Sequence, residues 1–284
     1  MEFLEFLKAI FLGIVEGITE WLPVSSTGHM ILLDEFITLN VSDVFMEMFL
    51  VVIQLGAILA VPVLFFDKLN PFSKKKSEEE RRGTWSLWAK VIVGAIPAAV
   101  IGLLFDDLFE KYLYVPVVVA AALIIYGIAF IIVEKIKGKN GGGEGEVAYR
   151  VNDASELTYK DALTIGAFQV LSLVPGTSRS GSTILGGLLT GVSRTAAAEY
   201  SFFMAIPIML GASGYKILKF ILSGFEATGT EIALLLVGIF VSFIVSLIVI
   251  KFLMDFVKRH SFASFGIYRI VLGVIVLGYF MLKA

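Results

Sequence analysis

Six apolar stretches of about 20 residues, roughly 44–66, 85–105, 115–134, 197–219, 230–251 and 264–283, leave this chain few ways to fold. A helix rises ~1.5 Å per residue, so about 20 residues match the ~30 Å hydrocarbon core of a bilayer, where the backbone must satisfy its own hydrogen bonds. The spacing predicts an all-α polytopic membrane protein with six transmembrane helices. The composition agrees, since 57% hydrophobic residues, 24 Phe and a mean hydropathy of +0.88 lie far above a soluble domain. A net charge of -2 gives no basic excess for nucleic acid, and zero cysteines exclude disulfides, thiol chemistry and Cys-based metal sites. Glu2 and Glu5 stand where a signal peptide would be basic and no Ala-x-Ala-like site follows, so no cleaved leader is expected.

Two further apolar regions, 3–38 and 160–191, are interrupted by Pro23-Val-Ser-Ser-Thr-Gly28 and by Pro175-Gly-Thr-Ser-Arg-Ser-Gly181. A break at membrane depth is tolerated only where the backbone is buried in protein or lines a wet cavity, so both regions read as re-entrant helix-break-helix hairpins. Cations gather at Lys68, Lys74–Lys76, Arg81 and Arg82, again at Lys135, Lys137, Lys139, Arg150 and Lys160, and again at Lys251, Lys258 and Arg259. If each hairpin returns to its own side, these loops share one face, which the positive-inside rule makes cytoplasmic. The first hairpin then opens outward and the second inward. Leu12-Gly-Ile-Val-Glu16 matches Ile165-Gly-Ala-Phe-Gln169, and Leu22-Pro23 with Ser25–Gly28 matches Val174-Pro175 with Thr177–Ser180. The chain therefore reads as one membrane domain, 1–284, holding an inverted repeat: 1–134 as the first half, 135–158 as a flexible cytoplasmic linker and 159–284 as the second half. Such folds aim broken helices at an anion near the midplane. The Gly141-Gly-Gly-Glu-Gly145 run lacks the strand and the Gly-Lys-Ser/Thr ending of a phosphate loop.

The breaks also concentrate the polar chemistry. Glu16 and Glu20 are four residues apart and share one helix face, where two carboxylates repel unless a proton or a divalent cation accompanies them. Ser25, Ser26 and Thr27 follow a proline at a helix start; capping accounts for one hydroxyl, while three beside His29 point to a nucleophile with a base. Gly176, Thr177, Ser178, Arg179 and Ser180 supply glycine freedom, hydroxyl donors, helix-start amides and a guanidinium that grips two oxygens at once, which together suit a phosphate. Glu47 and Glu199 read as interfacial, Gln54 as an interhelical bond, Tyr268-Arg269 as an interfacial anchor and His260 as solvated. Gly94, Gly102, Gly186, Gly187, Gly211 and Gly214 read as close helix contacts.

Four blocks, Glu16-Gly-Ile-Thr-Glu-Trp-Leu-Pro-Val-Ser-Ser-Thr-Gly-His29, Val52–Ala60, Val174–Thr183 and Ser193–Phe202, closely resemble the undecaprenyl-diphosphate phosphatase family of the bacitracin-resistance type. The resemblance runs in order over nearly the whole chain. It implies an integral membrane enzyme that removes the terminal phosphate of a C55 polyprenyl diphosphate, recycling the lipid carrier of wall glycans. Carried over, the family's functional residues fall on Glu16, Glu20, Ser26, Thr27, His29, Ser178 and Arg179. The expected chemistry places the diphosphate between the hairpin tips, with Mg2+ or Ca2+ on Glu16 and Glu20 and charge neutralised by Arg179. Ser26, with His29 or a Glu as base, or an activated water makes the attack. The site is expected to open to the outer face of the plasma membrane, with the isoprenoid tail lying along lipid-facing grooves and a homodimer left open. The type 2 phosphatidate phosphatase pattern is absent, because neither its His nor its Asp follows Ser178-Arg179. A polyprenyl-phosphate transporter using the same repeat is the alternative.

Overall fold

The computed structural model describes residues 2–140 and 149–283, and these are helical apart from connectors and one isolated parallel bridge between Val151 and Val192. The helices are α1 (Glu2–Thr19), α2 (Ser26–Asp34), α3 (Asp43–Val52), α4 (Gln54–Leu64), α5 (Phe66–Leu69), α6 (Glu78–Leu113), α7 (Pro116–Asn140), α8 (Tyr159–Val170), α9 (Arg179–Leu189), α10 (Arg194–Leu222), α11 (Gly229–Arg259) and α12 (Ala263–Lys283). Among the described residues six spans are long and apolar enough to cross a membrane: Asp43–Leu64, Glu78–Phe105, Pro116–Lys137, Arg194–Leu222, Gly229–Arg259 and Ala263–Lys283. They coincide with the six stretches read from the sequence. Span 44–66 is two helices meeting at Ile53, and span 85–105 sits inside a longer helix that starts seven residues earlier, at Glu78.

Hydroxyl side chains start α3, α6, α8, α10 and α11. Ser77, Thr158 and Thr228 each form a capping box, with Glu80, Asp161 and Glu231 respectively, and Ser42 and Ser193 accept from the amides of Phe45 and Ala196. Each satisfies an amide that the helix itself leaves open. The largest core joins the first break to α10, where Trp21 meets Phe202 edge-on at 5.2 Å. Leu103, Ile125, Leu236, Phe240 and Ile248 project outward from their spans, as a lipid-facing surface requires.

Packing partners are exchanged between the two halves. Helix α1 lies on α11, α8 lies on α6, and α7 pairs with α12. The close approaches use glycine: a Cβ at Gly13 of α1 would stand 2.8 Å from the Gly238 carbonyl of α11, and one at Gly166 of α8 would stand 2.2 Å from the Gly94 carbonyl of α6. Gly186 and Gly187 are also tightly packed, whereas Gly211 and Gly214 face open space, so the close-contact reading fails for those two. Of the expected linker 135–158, residues up to Asn140 continue α7. Its far end is pinned by the Val151 bridge, by Arg150 on Asp161 and by Asp153 on Lys68; the Gly141–Gly145 run lies outside the described residues.

Candidate active site

Two breaks of the same build face each other. Ser25 caps α2 by accepting from the Gly28 amide, and Ser178 caps α9 by accepting from the Gly181 amide. Both serines hold left-handed backbone, φ 72° and 73°, and among the described residues no other non-glycine residue does so. Such a conformation is costly for a residue with a Cβ and persists only where the surroundings fix it. The sequence match, which aligned Ser25 with Thr177, is therefore one residue out of register: Ser25 corresponds to Ser178, and Gly28 to Gly181. Glu16 then stands as far before Ser25 as Gln169 stands before Ser178. The two prolines drew the alignment off, because Pro175 lies one residue further from its cap than Pro23 does.

Gly176 shows why this turn needs glycine. Its φ is +90°, and a Cβ there would sit 2.5 Å from the Val119 carbonyl of α7.

One buried ion pair joins the breaks. Glu20, just beyond the end of α1, receives the Arg179 Nη2 on Oε1 at 2.9 Å and the Ser26 hydroxyl on Oε2 at 3.2 Å. Arg179 spends its other terminal nitrogen on Ser201, donating to the carbonyl at 2.7 Å and to Oγ at 3.1 Å, while its carbon end stands 5.7 Å from the Trp21 ring centroid. The Ser180 hydroxyl lies 3.2 Å from the carbonyls of both Glu20 and Leu22. Glu16 is 1% exposed, and its Oε1 has no hydrogen-bond partner. A buried carboxylate oxygen left open in this way requires a water, a proton or a cation.

A cavity of about 310 Å³ opens beside this junction, bordered by Glu16, Ser26, Thr27, Glu47, Gln54 and Lys216 among others. It has room for a phosphoryl head group and not for a long lipid. Ser26 and Thr27, the first two residues of α2, lie at its wall, and a helix start favours an anion.

The predicted residues thus divide. Glu16, Ser26 and Thr27 border the cavity, and Glu20 and Arg179 brace it from behind. Ser25, Gly176, Thr177, Ser178 and Ser180 hold the two breaks in shape. His29 turns the other way: its Nδ1–H donates to the Ser25 carbonyl at 2.7 Å, which leaves Nε2 of the neutral ring to accept the Tyr268 hydroxyl at 2.7 Å, and the two rings stack. It does not border the cavity.

Sequence reasoning missed Arg269. Read as an interfacial anchor, it is instead fully buried, donating through Nη1 to the Pro23 carbonyl at 3.1 Å and through Nη2 to the carbonyls of Gly176 and Thr177 at 2.9 Å each. A single guanidinium therefore staples both breaks. Glu47 and Gln54 border the cavity rather than serving only as interfacial and interhelical groups. Among the described residues no group of three or more His, Asp or Glu is arranged to hold a metal by itself, and both Glu20 oxygens are engaged.

The family described as "Bacitracin resistance protein BacA" matches residues 9–275 of the chain. The chain is 56% identical over 279 residues to the protein named undecaprenyl-diphosphatase of Enterococcus faecalis, covering 98% of each chain. It is 58% identical over 282 residues to the undecaprenyl-diphosphatase of Desulfitobacterium hafniense, covering 99% of this chain and 98% of that one. With the undecaprenyl-diphosphatase of Streptococcus mutans it shares 57% identity over 284 residues, 100% of this chain and 99% of the other.

Proposed function

The chain belongs to the bacitracin-resistance BacA family, and from that premise we propose that it hydrolyses undecaprenyl diphosphate to the monophosphate and inorganic phosphate, so returning the lipid carrier to cell-wall synthesis. The observation that carries the reading is that Ser26, on the wall of a head-group-sized cavity, contacts Glu20 behind it, which Arg179 braces across the two breaks.

In this reading the terminal phosphate enters the cavity against the α2 amino end and the isoprenoid tail lies along the outward apolar surface. The Ser26 hydroxyl attacks the terminal phosphorus and passes its proton to Glu20 Oε2; the anhydride P–O bond breaks and the lipid monophosphate leaves. Water then hydrolyses the phosphoserine, restoring the hydroxyl and releasing phosphate. Glu20 is favoured as base over His29 because Ser26 already donates to it, while both His29 nitrogens are engaged elsewhere. Direct attack by water held on the same carboxylate is the second reading. Arg179, bonded to Glu20 and to Ser201, keeps the Glu20 carboxylate aimed at Ser26. His29, through Ser25 and Tyr268, orients the first turn of α2.

A divalent cation, Mg2+ or Ca2+, fits this site in one respect: the open Oε1 of Glu16 is an unsatisfied hard oxygen on the cavity wall. Glu16, with Glu47 and Gln54 nearby, would hold it and substrate oxygens would complete its shell, whereas Glu20 is committed to Arg179 and Ser26. Bound there, the ion would neutralise phosphate charge.

The two broken regions are re-entrant hairpins of an inverted repeat. The exchanged packing of α1 on α11 and α8 on α6 supports this, as do the paired left-handed caps. The cation-rich loops support an outward-opening site in the plasma membrane. Transport by the same fold gains no support from relatives named as diphosphatases.

The test is phosphate release from C55 diphosphate by purified protein in detergent, with and without EDTA. Metal-dependent release that Ser26→Ala abolishes is expected. No release from folded, metal-loaded protein would sink the proposal.

A further inference from the structure

Lys216 borders the same cavity as Glu16, Ser26 and Thr27, although nothing in its surrounding sequence marks it out. It lies on α10 about two turns before the helix ends at Leu222, and it is half-buried. Among the described residues its ammonium has no ion-pair or hydrogen-bond partner. Arg179, the cation that the motif itself supplies, is already spent on Glu20 and Ser201. The cavity wall therefore carries two carboxylates, Glu16 and Glu47, against a single ammonium. An incoming phosphate dianion needs positive charge on that wall, and an unengaged lysine meets the need without breaking an existing pair.

We propose that Lys216 is a substrate-binding residue that grips the terminal phosphoryl group of the diphosphate. The assignment rests on the phosphatase reading. It names the terminal rather than the lipid-linked phosphate because Ser26, the group that attacks the terminal phosphorus, shares this cavity. A cavity of about 310 Å³ takes the head group alone. A flexible ammonium grips as a point charge, so it holds substrate and transition state alike and acts mainly on KM. It also holds the departing inorganic phosphate, the product with the same charge and shape.

The experiment compares Lys216→Ala, Lys216→Arg and Lys219→Ala with the intact chain, using C55 diphosphate hydrolysis in detergent with inorganic phosphate as a product inhibitor. Lys219 is an exposed lysine one turn further along α10 and does not border the cavity. Lys216→Ala should raise KM about 10-fold or more, change kcat less than 3-fold and raise the inhibition constant of phosphate by a similar factor. Lys216→Arg should stay within about 3-fold of the intact chain, and Lys219→Ala should be indistinguishable from it. An unchanged KM in Lys216→Ala, or equal losses in the 216 and 219 variants, would reduce Lys216 to an interfacial lysine and overturn the proposal. A raised KM with an unchanged phosphate inhibition constant would overturn the assignment to the terminal phosphate. Absence of hydrolysis in the intact chain would instead refute the phosphatase reading itself.

Discussion

Replacing Arg269 with Met keeps a long unbranched side chain in the same space and removes only the guanidinium. Three carbonyls, those of Pro23, Gly176 and Thr177, then lose their donor in a fully buried place. An unsatisfied buried carbonyl costs about 1–3 kcal/mol. The Gly176 and Thr177 carbonyls share one nitrogen, so the sum is less than three full losses. Removing a buried cation also relieves a desolvation cost, which brings the expected loss to roughly 3–5 kcal/mol. At roughly 2–4 °C per kcal/mol for a chain of this size, the melting midpoint should fall by about 6–20 °C. The assay is Trp fluorescence on heating in detergent, read beside phosphate release well below the midpoint. Trp21 sits in the first break and stands over Arg179, so its emission should respond to disorder of this junction. Turnover should fall even where the protein is still folded, because Ser26 and Arg179 each begin a helix whose preceding turn Arg269 ties down. Arg269→Lys keeps the charge but cannot span three acceptors with a planar fork, so it should recover only part of the loss. A Met variant with an unshifted midpoint and full turnover would refute the staple.

Three further outcomes follow from the same geometry. Ser26→Ala should lower kcat by about a thousandfold with a melting midpoint within ~2 °C of the intact chain, while Thr27→Ala costs about tenfold or less; steady-state phosphate release decides this, and equal losses would sink the choice of Ser26. Glu20→Gln and Arg179→Gln should each lower kcat/KM at least a hundredfold, with the double variant little worse than either single one. A double-mutant cycle on kcat/KM measures this, and additive losses would mean that the pair does not act as a unit. Gly176→Ala, which forces a Cβ into the Val119 carbonyl at a φ of +90°, should destabilise the fold by about 2–4 kcal/mol, and a thermal midpoint unchanged from the intact chain would contradict the turn geometry.

What could be read from the sequence was what the bilayer enforces. The six spans declare themselves by length and apolarity, and the two breaks by a proline beside hydroxyls, so Ser26, Glu20 and Arg179 could be named as neighbours before any coordinates. Features that depend on backbone partners were not legible. Arg269 follows Tyr268 near the start of a span, where an interfacial anchor is the common reading, and its three acceptors are carbonyls that leave no mark on side-chain identity. His29 lies within one turn of Ser26 in sequence, yet the helix turns it onto Tyr268. Lys216 reaches the cavity from a helix that carries no motif at that point. The two breaks were matched one residue off because proline is conspicuous and a serine at φ 72° is not.

The exchange of packing partners has a consequence for how the protein is made. Helix α1 leaves the ribosome well before α11, the helix that receives its glycine face, which begins about two hundred residues later. At roughly 5–20 residues per second that is a wait of about 10–40 s. For most of that wait Glu16 and Glu20 have neither Arg179 nor a completed cavity, and leaving them in hydrocarbon is costly. Membrane insertion of the first segment must therefore stay provisional, held at the interface or sheltered by the insertion machinery, until α11 has been made. A chain released early, after α7, would carry an acidic segment with no partner to bury it.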